Sequence, residues 1–230
     1  MAETLADPEV TARIDLHCHT NGSFDSIADP LAVVRRAAER GLTHLAITDH
    51  DTIEIALRAR DVAPPGLTVI VGSEVSTRDG DLIFVFLQRA LPRGLSAIEA
   101  IEAGREQGAL VGIPHPFDRT RRSLLAHGLL PDVVTQVDWI EVWNARVADT
   151  RANEQATALA ERIGRPGVAV SDSHAIVEIG TAWTAGSGDP GTAAGLRVCL
   201  GSNLRLHRGP VRDGGIRRGL GRWMQARSPD

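Results

Sequence analysis

Arg13-Ile14-Asp15-Leu16-His17-Cys18-His19-Thr20 is the stretch on which the reading of this chain turns. Taken as a strand it alternates, with Asp15, His17 and His19 on one side and Ile14, Leu16 and Cys18 on the other. Three ligand-type side chains on one face of an apolar strand are hard to explain by packing. Two histidines two residues apart can close on a single metal ion. An isolated His-x-His fits a pair of exposed or hydrogen-bonded histidines equally well. Here similar clusters recur down the chain, each at the end of an apolar run, and the recurrence favours a metal site.

Working outward, strand one covers about 12–17 and runs into the loop Asn21-Gly22-Ser23-Phe24-Asp25-Ser26. A helix starts with Asp29 as N-cap and Pro30 in its first turn, and Gly41 follows its end. The second strand, Thr43 to Thr48, leads into Asp49-His50-Asp51, and a short helix covers about 52–60. The third strand, Leu67 to Val71, stops at Gly72-Ser73-Glu74. Asp79-Gly80 signals a turn, so Leu82 to Leu87 reads as a hairpin added to the third unit. Ser96-Ala97-Ile98-Glu99 fits a capping box opening a helix that ends at Gly108. Strand Ala109 to Ile113 leads into Pro114-His115-Pro116-Phe117-Asp118. An Arg-rich stretch with Arg119, Arg121 and Arg122 follows, then strand Trp139 to Trp143 and Asn144-Ala145-Arg146. A helix over 151–163, a strand Gly167 to Val170 and the cluster Ser171-Asp172-Ser173-His174 come next. Thr181 to Thr184 reads as a short strand, and weaker helices cover roughly 190–199 and 214–226.

Strand and helix alternate about seven times, which predicts an α/β chain with a parallel sheet. The polar clusters follow the strands and never precede them. A parallel barrel gathers such positions at its C-terminal rim, whereas an open sheet would gather only two or three strands at its switch point. Six strands contribute here, so the expectation is a closed or nearly closed barrel. The rim residues are His17, His19, Asp25, Asp49, His50, Glu74, Asp81, His115, Asp172 and His174. A single zinc site needs three or four ligands. This larger set points to more than one divalent ion with a carboxylate bridging between them, the arrangement that can clamp both oxygens of a displacement.

Composition narrows the partners. The 230 residues suit one barrel-type domain, and a formal net charge of −4 gives no reason to expect nucleic acid as a bulk partner. All the basic residues other than histidine are arginine. Aromatic residues are 3% with no tyrosine, so stacking platforms for bases are not available in number. Two cysteines, Cys18 and Cys199, make no disulfide framework. The polar opening residues do not read as a signal peptide, and no apolar run approaches a membrane span. The expectation is a cytoplasmic protein with no membrane partner and no extended nucleic-acid surface.

The motifs Asp15-Leu16-His17-Cys18-His19-Thr20, Ile47-Thr48-Asp49-His50-Asp51, Gly72-Ser73-Glu74, His115-Pro116 and Ser171-Asp172-Ser173-His174 together resemble the polymerase and histidinol phosphatase (PHP) family, in the family's order and over about residues 13–185. The resemblance implies a distorted (β/α)7 TIM-like barrel spanning a single domain over 1–230, with 186–230 as a helical extension closing the barrel. It implies a trinuclear metal centre of divalent ions: Mn, Fe, Zn or Mg. His17, His19, Glu74 and Asp172 would hold the first ion. Glu74 would bridge to a second, shared with His115, and Asp25, His50 and His174 would hold a third. Family members commonly carry a further histidine on the hairpin after the bridging glutamate, where this chain has Asp81. Either Asp81 is a ligand that tilts the preference toward harder ions, or it is a turn residue and the second site is weak.

The implied function is a metal-dependent phosphoesterase acting on a small phosphate ester or nucleotide through metal-activated water, with Asp172, His17, Glu74 and Asp49 as catalytic residues. Asp49 and Asp15 could instead orient ligand histidines from behind. Arg119, Arg146 and Asn144 are the candidates for substrate contact, since a guanidinium can hold a phosphate bidentately. Glu141 reads as a salt-bridge partner, His44 as structural, His127 as a helix cap and His207 as solvated. Two other functions stay open: a metallohydrolase of a C–O or C–N bond, and a non-catalytic metal-binding domain.

Overall fold

The first strand is shorter than its alternation implies: β1 is Ala12–Asp15, and Leu16 to His19 already run along the rim. The structure, a computed structural model, describes residues 10–209 other than 127 and 129. The expected helix over 214–226 and the capping role of His127 lie outside the described residues. After β1 come α1 (Pro30–Glu39), β2 (His44–Ile47), α2 (Glu54–Asp61), β3 (Thr68–Ser76) and β4 (Asp81–Val85). Next are α3 (Ala97–Glu106), β5 (Leu110–Ile113), a single turn α4 (Pro131–Val134) and β6 (Trp139–Asn144). The last are α5 (Thr150–Ile163), β7 (Gly167–Val170), β8 (Trp183–Gly186), α6 (Ala193–Leu200) and β9 (Arg205–His207). The helix starts follow the sequence signals. Asp29 accepts from Ala32 N with Pro30 in the first turn of α1, and Ser96 with Glu99 forms a capping box on α3.

The strands form one sheet in the order β7-β6-β5-β4-β3-β2-β1-β8-β9. β1 with β2, β2 with β3, β5 with β6 and β6 with β7 pair in parallel. β4 stands antiparallel to both β3 and β5, so the expected hairpin is itself a stave of the wall. Past the ends of β1 and β7 the chain segments meet. Cys18 bridges Ser173, His19 N donates to Ser173 O at 2.8 Å and Asp172 N donates to His17 O at 2.9 Å. Below that contact, the Thr184 hydroxyl of β8 bonds both the N–H and the carbonyl of Ala169. The seven strands β1 to β7 therefore close on themselves at the rim, a distorted TIM-like barrel with one reversed strand.

Two apolar layers hold the wall. Ile14, Leu16, Ala46, Ile70, Ile83, Leu110, Trp139 and Val168 form an inner cluster, joined by Leu196, Cys199 and Leu200 of α6. Leu45, Ile47, Val69, Phe84, Val111 and Ile140 pack outward against the helices. Trp139 fills the interior because Gly112 opposite has no side chain: a Cβ there would lie 2.0 Å from the indole. Cys18 belongs to the outer cluster while Ile14 and Leu16 belong to the inner one. The alternation is lost where the chain leaves the ladder, and that frees His17 and His19 to turn over the mouth. No helix among the described residues is long and apolar enough to cross a membrane.

Candidate metal centre

Every polar cluster of the sequence arrives at one mouth. His17 and His19 come from the exit of β1, and His50 from the exit of β2. Glu74 lies inside β3, which runs five residues beyond its expected end at Val71. His115 follows β5, and Asp172 and His174 follow β7. His115 and Asp172 have φ of +28° and +49°, in the left-handed region. Such backbone costs on the order of 1–3 kcal/mol and persists where its surroundings fix it. Here His115 N is held by Glu141 Oε2 at 2.8 Å and Asp172 N by the His17 carbonyl.

Glu74 is the hub. Its Oε2 lies 3.3 Å from His17 Nε2, 3.1 Å from His19 Nε2 and 3.5 Å from His50 Nδ1. Its Oε1 lies 3.0 Å from His115 Nε2. Asp172 Oδ1 is 3.6 Å from His17 Nε2 and 3.7 Å from His19 Nε2. Asp25 Oδ2 is 3.0 Å from His174 Nε2 and 3.6 Å from His50 Nε2.

Hydrogen bonds behind the rings fix which nitrogen faces inward. His17 Nδ1 meets Glu141 Oε1 at 2.7 Å, and His174 Nδ1 meets the Asp172 carbonyl at 2.9 Å. Neither oxygen can donate, so both Nδ1 atoms carry hydrogen. His19 Nδ1 meets Ser23 Oγ at 2.9 Å, and that hydroxyl already donates to Asp49. His115 Nδ1 meets Ser123 Oγ, which already donates to the His115 carbonyl. Four imidazoles held at Nδ1 therefore aim Nε2 at carboxylate oxygens and, for His17 and His19 at 2.9 Å, at each other. Bare lone pairs at these distances repel, so each contact is held by a shared cation, a proton or a metal ion. Asp172 Oδ1 and His50 Nδ1 are buried without a hydrogen-bond partner among the described residues. The donor set fits divalent ions.

The charges agree. Burial alone would raise Glu74 and Asp172, yet the His17 charge and imidazole hydrogen bonds for the first, and Arg121 and His17 for the second, hold both well below the usual carboxylate range. Burial disfavours charge on His17, but Asp172, Glu141 and Glu74 overcome it and lift the ring well above its ordinary value. A field that retains a proton there also favours a metal ion. Among the described residues, two groups could hold a metal by spacing alone: His19, Asp25, His50 and His174, and His17, His19 and Asp172.

The remaining candidates take other positions. Asp49 is buried and accepts from Thr20 N, Thr20 Oγ1 and Ser23 Oγ, so it acts on His19 through Ser23. Asp15 accepts from Ser171 N and His17 N, and burial pushes its carboxyl up to about 7. Asp81 is buried at the start of β4 with Arg122 Nε at 3.3 Å; burial and the Glu74 charge push it up to about 6. Arg146, expected at a substrate phosphate, instead gives its guanidinium to Glu178 at 2.9 Å. Glu178 in turn accepts from His174 N and Ala175 N. Asn144, also expected to touch substrate, donates to Glu141 Oε2 and Asp172 Oδ2. Arg119 is exposed and lines a cavity of about 700 Å³ with Gln155 and Arg162. Sequence reasoning gave Arg121 no role, yet it is the guanidinium at the centre: it bonds Asp172 and lies 3.3 Å from Asp118. His207, in β9, is exposed as expected, and its ring stacks on Trp183 of β8.

Comparison with known proteins gives the chain's family. Residues 15–129, half of the chain, match the PHP domain, and residues 150–196 match a PHP-associated region. The chain belongs to the PHP domain family. An uncharacterised protein of Methanocaldococcus jannaschii is 34% identical over 155 residues, 63% of this chain and 88% of that one. A 5'-3' exoribonuclease of Haemophilus influenzae is 31% identical over 125 residues, but the match spans 47% of this PHP chain and 44% of the relative. Among solved structures, a two-domain protein of Bacteroides vulgatus containing a predicted PHP-like metal-dependent phosphoesterase superposes with a TM-score of 0.73 at 19% identity. It covers 88% of this chain and 66% of that one. At that identity the likeness concerns the PHP fold alone.

Proposed function

We propose that this PHP chain is a metal-dependent phosphoesterase that hydrolyses a small phosphate ester or nucleotide. The observation that carries the reading is the ring of imidazole Nε2 atoms, their rings locked from behind, converging on Glu74, Asp172 and Asp25. In this reading His17, His19, Glu74 and Asp172 hold one ion, His115 and Glu74 a second, and Asp25, His50 and His174 a third. Asp81 is the carboxylate that would complete the second site. Divalent ions bound there would supply an activated water and neutralise phosphoryl charge.

The other residues orient and balance charge. Glu141 holds the His17 tautomer and the His115 backbone; Asn144 steadies Glu141 and Asp172. Asp49, through Ser23, holds His19. Arg121 is the guanidinium nearest the centre, suited to a phosphoryl oxygen as negative charge grows on it. Arg119 lies outside, where it could meet a more distant part of the substrate.

The test is a hydrolysis screen on metal-loaded protein. Sugar phosphates, nucleotides and short oligonucleotides are compared with carboxylic esters and amides. Release of phosphate supports the reading. Hydrolysis confined to carbonyl compounds, or none at full metal occupancy, overturns it.

A further inference from the structure

Phe24 sits beside the candidate ligand Asp25 and is 71% exposed, the only exposed aromatic residue among those described. Its ring stacks on His50, with centroids 4.9 Å apart and planes 24° from parallel. One face thus lies on a candidate ligand ring, and the other is turned to solvent over the mouth. A large apolar ring left in water forgoes the burial that ordinarily places phenylalanine inside. Shielding His50 needs only one of its faces.

The loop that carries Phe24 is fixed on both sides. Ser23 is tied through its hydroxyl to Asp49 and His19, and its N–H donates to Thr20 O at 3.0 Å. Ser26 Oγ donates to the His174 carbonyl at 3.0 Å, and Asn21 N donates to Ala28 O at 2.9 Å. Phe24 is therefore exposed without being loose, so stacking against it costs little ordering of the protein. Ile27, 74% exposed, lies three residues further along the same loop.

We propose that the free face of Phe24 is a stacking surface for the planar ring of the ester's leaving group, so that the preferred substrates of this centre are nucleotides rather than plain sugar phosphates. The proposal rests on the phosphoesterase reading above and narrows its substrate class. Stacking on one aromatic side chain tolerates every base, because each has a π-face.

Two measurements on the metal-loaded full chain test it. The first compares kcat/KM for adenosine 5'-monophosphate and ribose 5-phosphate, which differ only in the base. Phe24→Ala should lower the value for the nucleotide about 5- to 150-fold, the range for loss of one stacked base. It should leave the sugar phosphate within about twofold, and Phe24→Trp should retain the nucleotide preference. Equal losses on both substrates, or a fall in metal content, would make Phe24 merely a cover for His50 and overturn the proposal. The second follows fluorescence of 2-aminopurine riboside 5'-monophosphate, which stacking quenches. Quenching by the wild type that Phe24→Ala loses supports the proposal; no quenching by the wild type overturns it. The second measurement needs no turnover. If neither ester is hydrolysed, the phosphoesterase reading fails while the stacking surface is still judged on its own.

Discussion

Glu141→Gln is the substitution whose consequence follows most directly from the hydrogen-bond geometry. The Glu141 carboxylate accepts from His17 Nδ1 at 2.7 Å, His115 N at 2.8 Å and Asn144 Nδ2 at 2.9 Å. All three partners are donors, and Glu141 is buried. A glutamine amide has one acceptor oxygen and one NH2, so whichever way it sits, one donor faces another. The lesser conflict turns the NH2 toward His17. The imidazole can then escape only by moving its proton to Nε2, into the space between His19 and Glu74, where the lone pair is needed. The lost charge-assisted hydrogen bond is worth about 1.5–3 kcal/mol, or roughly 10- to 150-fold in an equilibrium constant. That agrees with the ~10- to 100-fold that removal of a partner behind a metal ligand costs. The assay is chelator competition with Mn2+ or Zn2+, with circular dichroism of the metal-free variant as a control for folding. Metal affinity within about twofold of wild type, in a folded Glu141→Gln protein, would refute the claim that Glu141 sets the His17 tautomer.

Three further outcomes follow from the same contacts. Arg146→Ala strands the buried Glu178 carboxylate, so it should cost about 3–5 kcal/mol in denaturant unfolding without a selective rise in KM; normal stability would count against the Arg146–Glu178 pair as a structural brace. Gly22→Ala puts a Cβ 2.6 Å from Asp49 Oδ2 and 2.8 Å from Ile55 Cγ1, and should destabilise by about 1–3 kcal/mol through the Asp49–Ser23–His19 relay. A urea midpoint equal to wild type would show that the loop gives way freely. Arg121→Ala, assayed at saturating metal, should lower kcat by about 10²- to 10³-fold if its guanidinium stabilises phosphoryl charge. A kcat within twofold would remove it from that role.

The rim was legible in the sequence because its ligands are local motifs: His-x-His, Asp-His-Asp and Asp-x-His follow apolar runs, and a parallel barrel sends every run to the same end. The closing contact between Cys18 and Ser173 joins residues 155 apart and leaves no periodic trace. The supporting shell was less legible for the same reason. Glu141 looks like one more charge on a strand, yet it reaches His17, 124 residues away. Arg121 stands among other arginines with nothing local to single it out, and only the fold brings it to Asp172. Arg146 illustrates the converse. Its position after a strand argued for substrate, but the turn at Ile176–Glu178 brings a carboxylate within reach, and a buried guanidinium takes the buried partner. The apolar alternation failed between Leu16 and Cys18, past the end of β1.

The central claim is that this mouth exists to hold cations, and metal stoichiometry tests it most directly. Elemental analysis of the purified chain, after saturation with Mn2+ or Zn2+ and removal of free ion, should find about two to three bound ions per chain. Glu74→Ala, which removes the carboxylate touching four imidazoles, should lower that number while the barrel stays folded. A wild-type chain holding less than one ion, or a Glu74→Ala chain holding as many as the wild type, would contradict the account.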